Sequence, residues 1–414
     1  MVSQIRRGGI KLFYQTSGQT LVLRHAKNSS TSWMYKTKVV IPKIDKDKYI
    51  PTQRRDTVNV RVDVCYIDTG RENHNAKGKT AIILHDIPGS HKDLFELITQ
   101  LAKNGVRVIV PNFPELGFSE VEVPVEKKYG GRRWSILKPV RLFAAYLHWM
   151  TGSPHMWQVL RKQTDYVHST KERANFLLAF LDTIGVRNPD VVVAHGLNAY
   201  PALMIGAHVS WDIFRTIVLV TPTPHKPCKA FRPYFFTCLL ADYWQFNYLN
   251  RPFVLLALRW LGRRIGQSHL PVAHIAASAM AMREPGEQGA HGTFYDVKTD
   301  GIIVKEKKIP LTYIMSENDK LIEANLSMEF AKILGVTEEQ FDKYKGGVIQ
   351  KKATSQWEDY YTKGVSIDDG THFVQGKYTE LVANEILDVL KHMYNVQSTY
   401  YLPVQKRKKI QLFE

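Results

Sequence analysis

The stretch whose residue types and spacing could do chemistry is Asn188–Tyr200, NPDVVVAHGLNAY. Val191, Val192 and Val193 form a β-branched run ended by Ala194-His195-Gly196, the pattern of a buried parallel strand entering a tight turn. A helix can start at Asn198, with that residue as cap and Pro201 in the first turn. Strand, sharp turn and helix are the setting in which one side chain is lifted above a sheet as a nucleophile, on a G-x-S-x-G pattern. Here the pattern is Ala194-His195-Gly196-Leu197-Asn198, and the nucleophile position is Gly196. The frame for attack is present and the attacking atom is not.

Stepping outward, the elements that must hold this turn alternate along the chain. Thr57–Asp68 has period-two apolar residues (Val58, Val60, Val62, Val64, Tyr66), predicting a half-buried antiparallel strand near a sheet edge. Buried strands are predicted at Thr80–Leu84, Val106–Val110, Phe214–Val220, Pro310–Met315 and Gly364–Ile367. Helices are predicted over His91–Lys103, Thr170–Ile184, Met328–Leu334 and Leu381–Tyr394, with Gly185 closing the second. The alternation implies an α/β chain with a mostly parallel, doubly wound sheet. Residues 121–168 and 221–301 break the alternation. Both follow strand ends, where such sheets bind ligands, so they are expected to form a lid or partner surface.

The chain of 414 residues can bury a large core, and its 44% hydrophobic and 23% charged content is that of a globular protein. Cys65, Cys228 and Cys238 lack metal spacing and are too few for a disulfide framework. No spacing implies a metal or an organic cofactor, and no apolar run reaches the ~18 residues of a spanning helix, while peripheral membrane contact stays open. The net charge of +17 is concentrated: Met1–Ile44 carries Arg6, Arg7, Lys11, Arg24, Lys27, Lys36, Lys38 and Lys43 with no Asp or Glu. That composition fits a mitochondrial transit peptide, or else a disordered basic leader, with the matrix as the expected location and the cytoplasm as the alternative. The basic Lys406–Lys409 cluster in 396–414 is expected to be a solvated tail.

From about Val58 to His392 the chain resembles the α/β-hydrolase superfamily. His85-Asp86-Ile87-Pro88-Gly89-Ser90 is similar to the H-G-x-P-G-S oxyanion loop, and Pro111–Ser119 to the P-D-x-x-G-x-G-x-S segment. Ser316–Ile322 resembles the acid loop, and Gly370-Thr371-His372-Phe373 the G-H-F histidine loop with Thr371 as an extra residue. Within the superfamily it looks closest to the α/β-hydrolase-like proteins abundant in nematodes, which share the Pro88–His91 phrase. The resemblance puts Asp319 and His372 at the acid and histidine positions, and His85, Asp86, Gly89 and Leu197 around the oxyanion site. The alternatives are a loop histidine bonded to backbone at His372, a turn or cap aspartate at Asp319, and a satisfied loop carboxylate at Asp86 in place of a substitute catalyst. His195 is expected to pack under the turn.

Gly196 and Asp86 are two departures from the working pattern, since a carboxylate in the oxyanion loop would oppose an oxyanion. They point first to a catalytically inactive protein that binds a small apolar ligand or a protein partner in mitochondria. The alternative is a serine-independent hydrolase of ester-type or epoxide-type molecules using His372 and Asp319. A basic RNA- or ribosome-associated role is the third reading, weakened by the absence of any nucleic-acid motif.

Overall fold

The computed structural model describes residues 6–7, 10–12, 23–25, 33–41, 60–70, 79–121, 166, 168–209, 213–246, 251–264, 274, 281, 296–354 and 360–397. The site rests on one sheet of eleven strands, numbered here in chain order. They are β1 (Met34–Ile41), β2 (Val60–Asp68), β3 (Thr80–Leu84), β4 (Arg107–Pro111), β5 (Glu120–Val121) and β6 (Val191–His195). The rest are β7 (Ile217–Val220), β8 (Leu311–Ser316), β9 (Phe341–Lys345), β10 (Val348–Lys351) and β11 (Thr362–Ile367).

The order across the sheet is β10-β9-β11-β8-β7-β6-β3-β4-β2-β1, with β5 beside β2. From β9 to β4 all neighbours are parallel. Antiparallel strands finish both edges. The central strands are buried on both faces, as a covered parallel sheet requires. Successive residues alternate between two cores: Val192 and Ala194 pack on one side, Val191 and Val193 on the other.

The helices are α1 (Phe95–Lys103), α2 (Thr170–Thr183), α3 (Ala199–His208), α4 (Tyr234–Phe246), α5 (Arg251–Arg264), α6 (Val297–Glu306), α7 (Ala324–Ile333), α8 (Val374–Lys377) and α9 (Thr379–Gln397). Helices α2, α3, α6 and α7 contribute apolar residues to the first core, and α1 and α9 to the second. Phe176, Leu177, Phe180 and Leu181 are the buried stripe of α2, as their spacing predicts. Among the described residues no helix is long and apolar enough to cross a membrane.

Three expectations change. The basic leader assigned to residues 1–44 includes a strand of the main sheet. Tyr35, Val39 and Ile41 of β1 are buried, while Lys38 faces outward beside Asp63 of β2. Strand β7 begins at Ile217 rather than Phe214, and Phe214 is buried in the approach turn. Strands β9 and β10 at one end of the sheet are not among the expected elements, because β10 is exposed throughout and the short β9, Phe341-Asp342-Lys343-Tyr344-Lys345, lacks the period-two apolar pattern. Most of insertion 121–168, part of insertion 221–301 and the tail beyond Gln397 lie outside the described residues.

Candidate active site

Strand β6 ends at His195, and the chain turns through Gly196 at φ 58°, a left-handed conformation that glycine adopts without strain. A single 3-10 turn, Gly196–Asn198, leads into α3. Asn198 is the N-cap residue of α3, as expected, but its side chain makes no capping hydrogen bond. Its amide donates to the His85 carbonyl and its Oδ1 accepts from Arg173. The turn is thus tied sideways to the loop after β3 instead of forward to its own helix.

That loop is held just as firmly. His85 Nδ1–H donates to the Asp86 carbonyl at 2.7 Å, and Nε2 accepts from the Phe113 amide at 3.2 Å. Burial pushes the His85 pKa down to about 4, so the ring is neutral, as this donor–acceptor pair demands. Gly89 has no room for a side chain: a Cβ there would stand 2.7 Å from the Asp86 carbonyl oxygen. Asn112 serves as a strut, with Oδ1 accepting from the His91 amide and Nδ2 donating to the Cys65 carbonyl.

These constraints deliver the Asp86 side chain over the turn. Its Oδ1 accepts from two backbone amides, Leu197 at 2.8 Å and Ile87 at 2.7 Å. They are the amide after the nucleophile position and an amide from the loop following β3, the pair that forms an oxyanion hole on this architecture. Its Oδ2 lies 2.9 Å from His372 Nε2, the bond a nucleophilic hydroxyl would make. A Cβ built on Gly196 would overlap Asp86 Oδ1 and Cγ. One carboxylate therefore occupies the attacking position and the oxyanion position together. The two departures found in the sequence are a single coupled change.

His372 is sandwiched. Its Nδ1 lies 2.8 Å from Asp319 Oδ2, while Asp319 Oδ1 accepts from the Leu321 and Ile322 amides at 2.7 and 3.2 Å. Asp319 is both a turn aspartate and the partner of the histidine, because its two oxygens divide the work. The three groups are 7%, 6% and 7% exposed for Asp86, His372 and Asp319, so little water screens them. Ionised carboxylates offer acceptors alone, and each ring nitrogen faces one, so both nitrogens carry hydrogen and the ring is imidazolium. Burial would depress the His372 pKa, but the hydrogen bonds and charges of Asp319 and Asp86 outweigh it and raise it to about 10. Burial also works against an ionised Asp86, yet the His372 bond, the neighbouring histidines and the Leu197 amide leave its pKa below the ordinary carboxylate value.

Three groups fix the supports. The His372 carbonyl accepts from His195 Nε2–H at 3.0 Å and from the Thr221 hydroxyl at 2.8 Å. His195 packs under the turn, and burial pushes its pKa down to about 4. Arg173 of α2 is fully buried. Its guanidinium donates to the carbonyls of His168 and Leu197, to Asn198 Oδ1 and to Thr170 Oγ1. Leu197 thus has its carbonyl held by Arg173 while its amide holds Asp86. The Ile87 amide and Arg173 were not singled out from the sequence; the signal for Arg173 was its place on the apolar stripe, one turn before Phe176 and Leu177.

Asp86, His195 and His372 bring ligand-type atoms within 4.8 Å of one another. His372 already bridges two carboxylates, and His195 donates to a carbonyl while its Nδ1 faces the Gln375 amide, so the cluster is arranged around protons. Cys65 and Cys228 are poorly suited to serve as a substitute nucleophile: burial pushes the Cys65 thiol up to about 11 and Cys228 up to about 12.

The fold recurs in solved structures. A thermophilic esterase from Thermogutta terrifontis aligns at TM-score 0.50 and 13% identity, over 86% of this chain and 98% of its own. A haloalkane dehalogenase from Bradyrhizobium elkani aligns at TM-score 0.52 and 11% identity, over 87% and 99%. At such identities the likeness is one of fold. No curated protein matches the chain. The model of the family described as alpha/beta hydrolase of unknown function (DUF1057) matches residues 42–134 and 155–394. The chain belongs to this alpha/beta hydrolase family.

Proposed function

We propose that the protein is a serine-independent hydrolase of small molecules whose working groups are Asp86, His372 and Asp319. The observation that carries this reading is the Asp86 carboxylate, which takes the hydrogen bond of the missing nucleophile and both bonds of the oxyanion hole. The loss at position 196 and the gain at position 86 compensate in space. The histidine and acid are also in working contact.

A second reading keeps the protein catalytically silent, binding a ligand or partner, and one observation favours it: His372 has no ring nitrogen uncommitted. The test is turnover by the full chain of an ester panel and an epoxide panel, beside His372→Ala and Asp86→Asn. Turnover lost in both variants supports the hydrolase. Silence of the wild type on both panels supports the binding protein. The mitochondrial location remains a proposal resting on the basic, acid-free start of the chain. Because β1 belongs to the sheet, any removed leader ends before Trp33, which N-terminal sequencing of the protein recovered from mitochondria would test.

A further inference from the structure

We infer that this centre attacks an sp3 carbon rather than a carbonyl, and that its substrates are epoxides opened through a hydroxyalkyl ester on Asp86; this rests on the hydrolase reading above. A carbonyl substrate needs its oxygen between the Leu197 and Ile87 amides. Asp86 Oδ1 already sits there, 2.8 and 2.7 Å from the two nitrogens, and it carries negative charge. An incoming ester would have to displace two hydrogen bonds and face a carboxylate where its own charge develops. The same two bonds are what an aspartyl ester requires. Oδ1 becomes the ester carbonyl oxygen, and later the oxyanion, without leaving its place.

The other oxygen is the attacking atom. Asp86 Oδ2 has no backbone donor among its hydrogen bonds and faces His372 Nε2. Attack on an epoxide carbon makes an O–C bond and breaks the ring C–O bond, leaving an alkoxide that stays attached and needs a proton. The group beside it is an imidazolium, which gives its Nε2 proton and becomes neutral. A halide leaving group would need no such donor. The choice of leaving group therefore follows from the proton held on His372.

The second half closes the balance. Esterification removes the charge of Asp86, one of the two that hold the ring proton, so neutral His372 is now the stable form and can act as base. It takes a proton from water, and the hydroxide adds to Asp86 Cγ while Oδ1 receives the charge between the two amides. Collapse breaks the Cγ–O(alkyl) bond, and the departing alkoxide takes the proton from His372. Asp86 is left as a carboxylic acid and returns its proton to the ring. Epoxide and water have become a diol, and the centre is restored.

The test is a single turnover of styrene oxide by excess full-length protein in H2(18)O, followed by mass analysis of the diol and of the peptide bearing Asp86. The expected result is an unlabelled diol with the peptide heavier by one 18O. His372→Gln should turn over at least 100-fold more slowly and accumulate the substrate's mass on that peptide, since the amide can still donate but cannot accept a proton from water. Label in the diol with none on Asp86 would overturn the inference and leave the hydrolase reading standing, as would turnover of 4-nitrophenyl esters with no turnover of styrene oxide. Silence on both substrates would remove the hydrolase reading and the inference with it.

Discussion

Asp86 and Gly196 occupy one another's space: the carboxylate of one lies where the Cβ of the other would stand. The energetic consequence is a coupling between positions 110 residues apart in sequence. Gly196→Ala combines that overlap with a left-handed φ, and is expected to cost about 2–4 kcal/mol. In an Asp86→Gly background the overlap is gone and the φ cost remains. A double-mutant cycle in urea should therefore return a coupling on the order of 1–3 kcal/mol. Equal costs in the two backgrounds would mean that the side chains do not meet.

The same relationship governs any attempt to rebuild a serine site. Gly196→Ser alone should fold less well and gain no esterase activity, because Asp86 fills the hole. Asp86→Gly with Gly196→Ser frees the two amides and places a hydroxyl opposite His372, so short-chain ester hydrolysis should appear above the level of either single variant. A hydrolysis assay on the three proteins decides it; activity in Gly196→Ser alone would show that the hole is open.

Much of this was legible in the sequence, and the limit has a physical cause. The order of strands and helices follows from periodicity, which places the turn at Gly196, while Asp319 and His372 are placed by the resemblance of their loops to the superfamily's acid and histidine loops. What sequence spacing does not carry is the direction of a side chain in a loop. Asp86 looked like an obstacle to an oxyanion, whereas the backbone amides of Leu197 and Ile87 turn it into an occupant of the hole. The buried Arg173 and the strand at Met34–Ile41 are hidden for a related reason: a basic residue's partners come from elsewhere in the chain, so its burial does not show in local composition.

Arg173 is expected to act on the site through Leu197. Arg173→Met leaves the Leu197 carbonyl and Asn198 Oδ1 without their donor, costing about 3 kcal/mol of stability. Arg173→Lys should recover part of the stability but not the forked geometry. Thermal unfolding of both variants checks the order wild type, then Lys, then Met; a Met variant as stable as wild type would contradict it.

Removing residues 1–44 takes away the edge strand β1 and exposes the edge of β2, with Val62 and Val64 losing their cover. The shortened chain should melt lower than the full chain and bind a hydrophobic dye. Removal of residues 1–32 should do neither. Equal melting of all three would mean that β1 adds nothing to the sheet.

Stability should also depend on the His372 proton. Its folded pKa of about 10 lies above an unfolded value of about 6.5. The stabilisation is complete below about pH 6.5 and is lost as pH rises towards about 10. Asp86, held below its ordinary value, contributes in the opposite direction, with stabilisation lost as pH falls into the acid range. Relative to His372→Gln, the wild type should lose roughly 3–5 kcal/mol between pH 6.5 and 10. A difference independent of pH would show that the ring is neutral in the folded protein.

The most direct measurement is a (15)N NMR titration of the His372 side chain in the full-length protein and in Asp86→Asn. Both ring nitrogens are expected to be protonated at pH 8 in the wild type, with the titration midpoint falling by a unit or more once the Asp86 charge is removed. A ring that is neutral at pH 8, or a midpoint unmoved by Asp86→Asn, would contradict the placement of Asp86 against His372 on which the reaction centre depends.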